Sequence, residues 1–188
     1  DYTKDKHKQI DDKVFGGGAG MLLKPEPFFE CIEKLISERN YEHIIFLLAQ
    51  GKIFEQKDAN KFSLAKNIIF VVGHYKGIDD RVRKKFATDE ISIGNFILSG
   101  GELPALLMID AIVRLLPGVL NDSESALTDS FQDDLVISAP DYTRPAEYRG
   151  MKVPEILLTG DHNQIKKWRE EQSKILTNNW KKINNITE

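Results

Sequence analysis

Apolar and polar residues alternate with two different periods along the chain, and their order predicts an α/β fold. Residues 44–48 and 68–72 are unbroken apolar runs, the pattern of strands buried on both faces of a parallel sheet. Residues 90–98 alternate loosely, as a third strand would. Both apolar runs end in a glycine-containing turn, and helical segments alternate with the strands, which is typical of parallel strands joined through helices.

Three further segments are predicted to be helical. They are residues 25–40, whose apolar positions recur at three and four, the short charged segment 78–86, and residues 102–116. The last is apolar nearly all round, and Pro117 and Gly118 end it. A helix of that kind is expected to be buried, inside the chain or against a second chain.

The charge pattern divides the chain. Residues 121–141 contain six acids and no lysine or arginine, whereas lysine and arginine outnumber acids from His162 onward. We therefore expect an amino-terminal α/β domain over 1–120, a flexible linker or lid over 121–135, and a small carboxy-terminal helical domain over 136–188.

Composition narrows the functional classes. The 188 residues are 41% hydrophobic and 29% charged, as in a globular protein, and the net charge of −3 argues against binding nucleic acid through bulk positive charge. The longest uncharged run, 91–101, is too short for a membrane span. The single cysteine, Cys31, can form no internal disulfide, and the charged residues 1–13 do not resemble a signal peptide, so we expect a cytoplasmic protein.

Glycine turns follow the predicted strands at 50–51, 73–77 and 100–101. Ligands of open α/β sheets bind at the carboxyl ends of the strands, so these turns predict a ligand site, although tight turns without function explain them equally well. Their spacing matches neither a dinucleotide-binding motif nor a phosphate-binding loop. Four scattered histidines and one cysteine predict no metal site.

Two charged residues stand out for different reasons. Arg114 follows Asp110 by four residues on an apolar helix, where an unpaired guanidinium would be costly to bury. Two interpretations of Arg114 stay open. In one it forms an ion pair with Asp110; in the other it points into a cleft and binds an electron-rich oxygen. Asp129 is one of the six acids of the acidic segment, and composition alone favours a solvated linker residue.

A series of short motifs resembles the bacterial tRNA guanine-N1 methyltransferases. In chain order they are DDKVFGGGAGM at 11–21, GHYKGIDDRV at 73–82, SIGNFILSGGE at 92–102, PGVL at 117–120, YTRP at 142–145, VP at 153–154, GDH at 160–162 and WR at 168–169. An ordered series over most of the chain is far more specific than any one of its motifs.

The resemblance implies a fold of the SPOUT methyltransferase class. This is a parallel α/β sheet with a deep trefoil knot, here followed by a small carboxy-terminal helical domain, and it is a rare exception to the rule against knots. It also implies S-adenosylmethionine bound in the knot of a homodimer whose active site lies at the interface. The residues it assigns to the cofactor are Gly73, Ile93, Gly94, Asn95, Phe96, Ile97 and Leu98, with Gly51, Gly100 and Gly101 nearby.

The implied reaction is methylation of N1 of guanosine 37 in tRNA, immediately 3′ of the anticodon. The family's catalytic pair falls on Asp129 and Arg114, with the base supplied by the other protomer. N1 must lose its proton while negative charge collects on O6, so a carboxylate base and a cation at O6 are the groups this reaction needs. Magnesium dependence is implied but assigned to no residue. Candidates for gripping tRNA phosphates are Lys166, Lys167, Arg169 and Lys174.

The chain departs from the usual family pattern at a few positions. His74, Lys76 and Asn95 stand where arginine, glutamate and aspartate are common, and Leu48-Ala49 replaces Ser-Pro. The usual opening strand is missing from this sequence, so we expect the sheet to lack it. A non-catalytic knotted RNA-binding relative is the main alternative, and an α/β enzyme acting on a phosphate ligand is a third.

Overall fold

The structure is a computed structural model that describes residues 2–119, 129–132 and 135–186. It divides into two compact units, Asp1–Val119 and Leu120–Glu188. The elements of the first unit are β1 (Asp11–Lys13), β2 (Met21–Leu23), α1 (Pro25–Glu38), β3 (His43–Ile53), α2 (Gln56–Ser63), β4 (Ile68–Val71), α3 (Asp80–Phe86), β5 (Asp89–Ser92) and α4 (Glu102–Val113).

The first unit is built on a parallel sheet of order β4-β3-β5, which confirms the predicted α/β class. Successive residues of β3 face opposite sides, as strand geometry requires. Ile44 and Phe46 pack in a core with residues of α1 and α3, while Ile45 packs in a second core with residues of α2 and α4. Burial on both faces explains why β3 and β4 are marked by continuous apolar runs.

The third strand is shorter than predicted. β5 ends at Ser92, and residues 93–98 leave the sheet as a loop. Gly94 has a φ of +142°, a backbone conformation that L-residues rarely adopt, so the strand cannot continue through it. Residues 93–98 therefore form a loop and do not continue the strand.

β1 and β2 form an antiparallel hairpin around the glycine-rich segment 14–20. The sequence did not predict these strands, because three residues are too few to show an alternating pattern. Backbone hydrogen bonds attach β2 to the turn after β4: Leu23 donates to the carbonyl of Gly77 at 3.0 Å, and Lys76 donates to Met21 at 3.1 Å. The hairpin thus supports one wall of the region where the strands end.

α4 buries only one of its faces within the chain. Pro104, Ala105, Met108 and Ile112 are buried, four residues or fewer apart, and the last two belong to the second core. On the opposite side three leucines are 65%, 60% and 50% exposed, namely Leu103, Leu106 and Leu107. Burial of the whole helix inside the chain is therefore wrong, and a large apolar face is left in contact with solvent.

The second unit is arranged around a long helix. It contains the hairpin β6 (Glu147–Tyr148) and β7 (Met151–Lys152), a 3-10 helix (Glu155–Leu158) and α5 (His162–Ile183). Asp161 caps α5 by accepting hydrogen bonds from the N–H groups of Asn163 and Gln164. None of the described helices has an apolar stretch long enough to span a bilayer.

Candidate functional site

A cavity of about 320 Å³ lies where β4 and β5 end. Its walls come from the middle of β3, the turn after β4, the loop after β5 and the start of α4. The lining residues are mostly glycines and apolar residues, with Leu48, Ile78 and Phe96 among the larger ones. This is the edge at which the sequence predicts a ligand site.

Backbone contacts hold the two glycine loops of the cavity against each other. The N–H of Gly101 donates to the carbonyl of Gly73 at 3.1 Å, and His74 and Gly100 form an isolated antiparallel bridge. A Cβ at Gly101 would lie 2.8 Å from the Cβ of Val72, so only glycine allows the start of α4 to approach β4 this closely. The cavity therefore has a fixed main-chain wall with few side chains in the way.

The cavity carries little charge. Among the described residues that line it, Lys76 alone is a lysine or arginine, and none is a carboxylate. The aliphatic part of the Lys76 side chain runs along the glycine hairpin. Its Cγ would lie only 3.1 Å from a Cβ added at Gly20. At the rim, Nε2 of His74 lies 2.5 Å from Oε1 of Glu102. The backbone N–H of Glu102 and then the His74 ring hold the pKa of this carboxyl below its usual value.

The structure brings together eight of the ten residues predicted to bind the cofactor. Those lining the cavity are Gly73, Ile93, Gly94, Phe96, Ile97, Leu98, Gly100 and Gly101. Asn95 lies on the same loop but is exposed and does not line the cavity. Gly51 does not line it either; a Cβ there would lie 2.6 Å from the backbone of Ile91, so this glycine allows β3 and β5 to approach. Cofactor roles for all ten residues stay predictions.

Several lining residues were absent from the predicted set. Tyr75, Lys76 and Gly77 belong to the glycine turn that the sequence places after β4. Extending the strand-end rule from the glycines to their neighbours would have found them. Gln50 belongs to the turn predicted at 50–51, but that prediction is wrong, because β3 continues through these residues to Ile53. Phe46 and Leu47 could not be distinguished from ordinary core residues, because buried strands are apolar whether or not they border a cavity.

Arg114 and Asp129 belong to different units. Arg114 is the C-cap of α4, partly buried, and its N–H donates to the carbonyl of Asp110 at 3.2 Å. Asp129 starts a described segment of the second unit. Directly after it, Oγ of Ser130 lies 2.9 Å from Oγ of Ser138, and the Phe131 ring meets Trp180 of α5 edge-on at 5.2 Å. The backbone that follows Asp129 is therefore anchored to α5.

The predicted linker, 121–135, falls largely outside the described residues, at 121–128, 133 and 134. Among the residues that are described, no group of three or more His, Cys, Asp or Glu side chains is arranged to hold a metal ion.

The comparisons with known proteins all point to one family. The family model described as tRNA (Guanine-1)-methyltransferase TrmD matches residues 1–184. Proteins named tRNA (guanine-N(1)-)-methyltransferase are similar to this chain over nearly its whole length. That of Chlorobaculum tepidum is 55% identical over 94% of this chain and 76% of its own length. That of Cytophaga hutchinsonii is 57% identical over 92% and 73%, and that of Bacteroides fragilis 56% identical over 92% and 76%.

Proposed function

This chain belongs to the tRNA (guanine-1)-methyltransferase family, and we propose that it transfers a methyl group from S-adenosylmethionine to N1 of guanosine 37 in tRNA. The observation that carries the proposal is the family match over residues 1–184. The family predicted from the motifs is confirmed, and so is the prediction of an enzyme. We expect it to act in the cytoplasm, on the pool of tRNA there.

The cavity at the strand ends suits the methyl donor. Its volume of about 320 Å³ falls within the range of small-molecule sites. Apolar side chains such as Phe96 and Leu98 can enclose an adenine ring, while the main chain of the glycine loops offers hydrogen-bonding groups to its edge. When bound, the donor supplies an electrophilic methyl group on its sulfonium. The knot expected of the SPOUT class is part of the same proposal.

The proposed catalytic pair acts on the guanine. Asp129 removes the proton from N1, and the guanidinium of Arg114 stabilises the negative charge that develops on O6. A cation at O6 makes the N1 proton easier to remove, so the two residues act together. A positioned base contributes roughly 10²- to 10⁴-fold, which corresponds to about 3 to 5 kcal/mol of the barrier.

We propose that two copies associate and that each active site takes Asp129 from one protomer and Arg114 from the other. The apolar face of α4 supports association, because Leu103, Leu106 and Leu107 are each at least half exposed. Contiguous apolar faces of this kind mark protein interaction sites. Arg114 lies at the end of the same helix, so an interface on α4 would border it.

The catalytic assignment is tested with Asp129→Asn, which removes the base and keeps the shape of the side chain. We expect methyl incorporation into tRNA to fall by about 10²-fold or more, with the affinity for S-adenosylmethionine unchanged. Asp122→Asn, a neighbouring acid of the same segment, is the matched control and should stay near wild type. Activity of Asp129→Asn near the wild-type level would remove Asp129 from the mechanism.

The methyl-incorporation assay also tests the non-catalytic alternative and the magnesium dependence. A wild-type protein that binds tRNA but incorporates no methyl group would favour the non-catalytic RNA-binding alternative. Comparing incorporation with and without EDTA measures the magnesium dependence that the resemblance implies.

A further inference from the structure

The second unit contains a cavity of its own, of about 560 Å³. It lies between the segment 140–146, the 3-10 helix and the first two turns of α5. Three motifs to which the proposed chemistry gives no role meet there: YTRP at 142–145, GDH at 160–162 and WR at 168–169. Each places at least one side chain on its wall, namely Tyr142 and Arg144, His162, and Arg169.

The floor and one wall of this cavity suit a flat, apolar ring. Val153, Leu157 and Ile165 supply the apolar part of the lining. The Tyr142 ring lies 6.4 Å from the Trp168 ring, centroid to centroid, and Tyr142 remains 49% exposed. A tyrosine that is held by a second aromatic residue and is open to solvent offers a stacking surface for a nucleobase, which is worth a similar free energy for every base.

The cavity is also lined by two arginines, Arg144 and Arg169, and by one carboxylate, Asp141. Arg144 has no ion pair among the described residues, and Nη2 of Arg169 lies 3.7 Å from Oδ1 of Asp141, where both side chains are largely exposed. Such a contact is weak. By contrast, Arg81 donates two hydrogen bonds of 2.8 Å to Asp79. Guanidinium groups without a strong partner are suited to phosphate, which they bind with paired hydrogen bonds.

We propose that this cavity receives one unpaired nucleotide of the tRNA, with its base on Tyr142 and the apolar floor and its phosphate at Arg144 and Arg169. The inference rests on the proposed function, because it takes tRNA as the substrate. It gives the second unit a stacking site in addition to phosphate contacts. Other lysines on α5, such as Lys166 and Lys174, do not line the cavity. They can contribute to RNA binding only through electrostatic attraction.

The test measures binding of a fluorescent anticodon stem-loop RNA to the full chain by anisotropy, at several salt concentrations. Tyr142→Ala and Arg144→Ala should each raise Kd by about fivefold or more, since the first loses the stacking surface and the second loses the phosphate contact. Arg144→Ala should also reduce the salt dependence by about one charge, while Tyr142→Ala should leave it unchanged. Tyr142→Phe keeps the ring and should bind as the wild type does.

Arg149→Ala is the matched control. Arg149 has the same charge and belongs to the same unit, but it stacks on Tyr148 at the tip of the β6-β7 hairpin and does not line the cavity. Its Kd should change by less than about twofold. If Arg149→Ala weakens binding as much as Arg144→Ala, only total charge matters and the proposal is wrong.

Two further outcomes would overturn the proposal. One is wild-type affinity in both Tyr142→Ala and Arg144→Ala. The other is binding of guanosine monophosphate that depends on Arg144 while RNA affinity does not, because the cavity would then serve a free nucleotide. Methyl incorporation by the wild-type protein is measured alongside. If methyl incorporation is normal but the substitutions do not change RNA affinity, this inference fails and the proposed function stands. If the substitutions weaken RNA binding as expected but the wild-type protein incorporates no methyl group, only the proposed function is rejected.

Discussion

At the scale of single residues, the first cavity is unusual in its charge. Lys76 is the one lysine or arginine among the described residues that line it, and the glycine hairpin holds its stem in place. The proposed donor carries a positive sulfonium, whereas the product S-adenosylhomocysteine does not. Since the two molecules are otherwise nearly alike, Lys76 must disfavour the donor relative to the product.

Replacing Lys76 with methionine removes this charge and keeps a long apolar side chain. We predict that the ratio of the product's Kd to the donor's Kd rises by about two- to fivefold, as expected for like charges several ångströms apart at a partly solvated site. Isothermal titration calorimetry with both compounds gives the ratio. A ratio that stays constant or falls would show that the Lys76 ammonium does not act on the sulfonium.

The sequence alone predicted the cavity but not the role proposed for Asp129. Glycine turns at strand ends located the cavity, because main chain must approach a ligand closely there. The same reasoning gave Asp129 no preference over the five other acids of its segment, since a solvated carboxylate and a catalytic one have identical composition. Its proposed role comes from the resemblance alone.

At the scale of elements, the edge of the sheet opposite the cavity is fixed by a polar network. Asp89, at the start of β5, accepts hydrogen bonds from Nζ of Lys61 at 2.7 Å and from Thr88 at 2.8 Å. Nδ1 of His43, at the start of β3, lies 2.7 Å from the same carboxylate. Burial alone would raise the pKa of Asp89, but these hydrogen bonds outweigh it and hold the pKa below its usual value.

This network should stabilise the fold in a pH-dependent manner. Because the folded-state pKa of Asp89 is depressed, its contribution is complete above the unfolded-state pKa near 3.8 and is lost as the pH falls through the folded value. We predict that Asp89→Asn lowers the free energy of unfolding by about 1 to 3 kcal/mol at pH 7. The difference from the wild type should shrink below about pH 4. Urea unfolding at a series of pH values measures it, and a difference independent of pH would contradict the assignment.

The elements themselves were predictable where burial leaves a pattern. The apolar runs of β3 and β4 and the apolar spacing in α1 and α4 predict these elements, because each buries a defined face. The helix α2 (Gln56–Ser63) was not predicted, and β3 extends to Ile53, beyond the turn predicted at 50–51. The prediction failed where one backbone angle decides the outcome, as at Gly94, where the loop after β5 begins. It also failed for the three-residue strands β1 and β2. β2 is held by backbone hydrogen bonds to the turn after β4, and β1 pairs with β2, so neither needs an apolar pattern of its own.

At the scale of the whole molecule, the account depends on association. A single chain supplies Arg114 at the end of α4 and Asp129 next to a segment anchored on α5, in two separate units. The exposed leucines of α4 are the surface that we propose contacts a second copy. If each active site combines residues of two protomers, then Arg114 cannot act together with Asp129 of its own chain.

Activity of isolated heterodimers tests this claim most directly. Arg114→Ala and Asp129→Asn protomers, co-expressed with different tags and purified as the mixed dimer, should recover about half of the wild-type methylation rate, because one of the two symmetric sites is intact. A wild-type protomer paired with one that carries both substitutions should be inactive. The opposite result, an inactive first dimer and a half-active second, would show that each chain builds its site alone and would contradict the account.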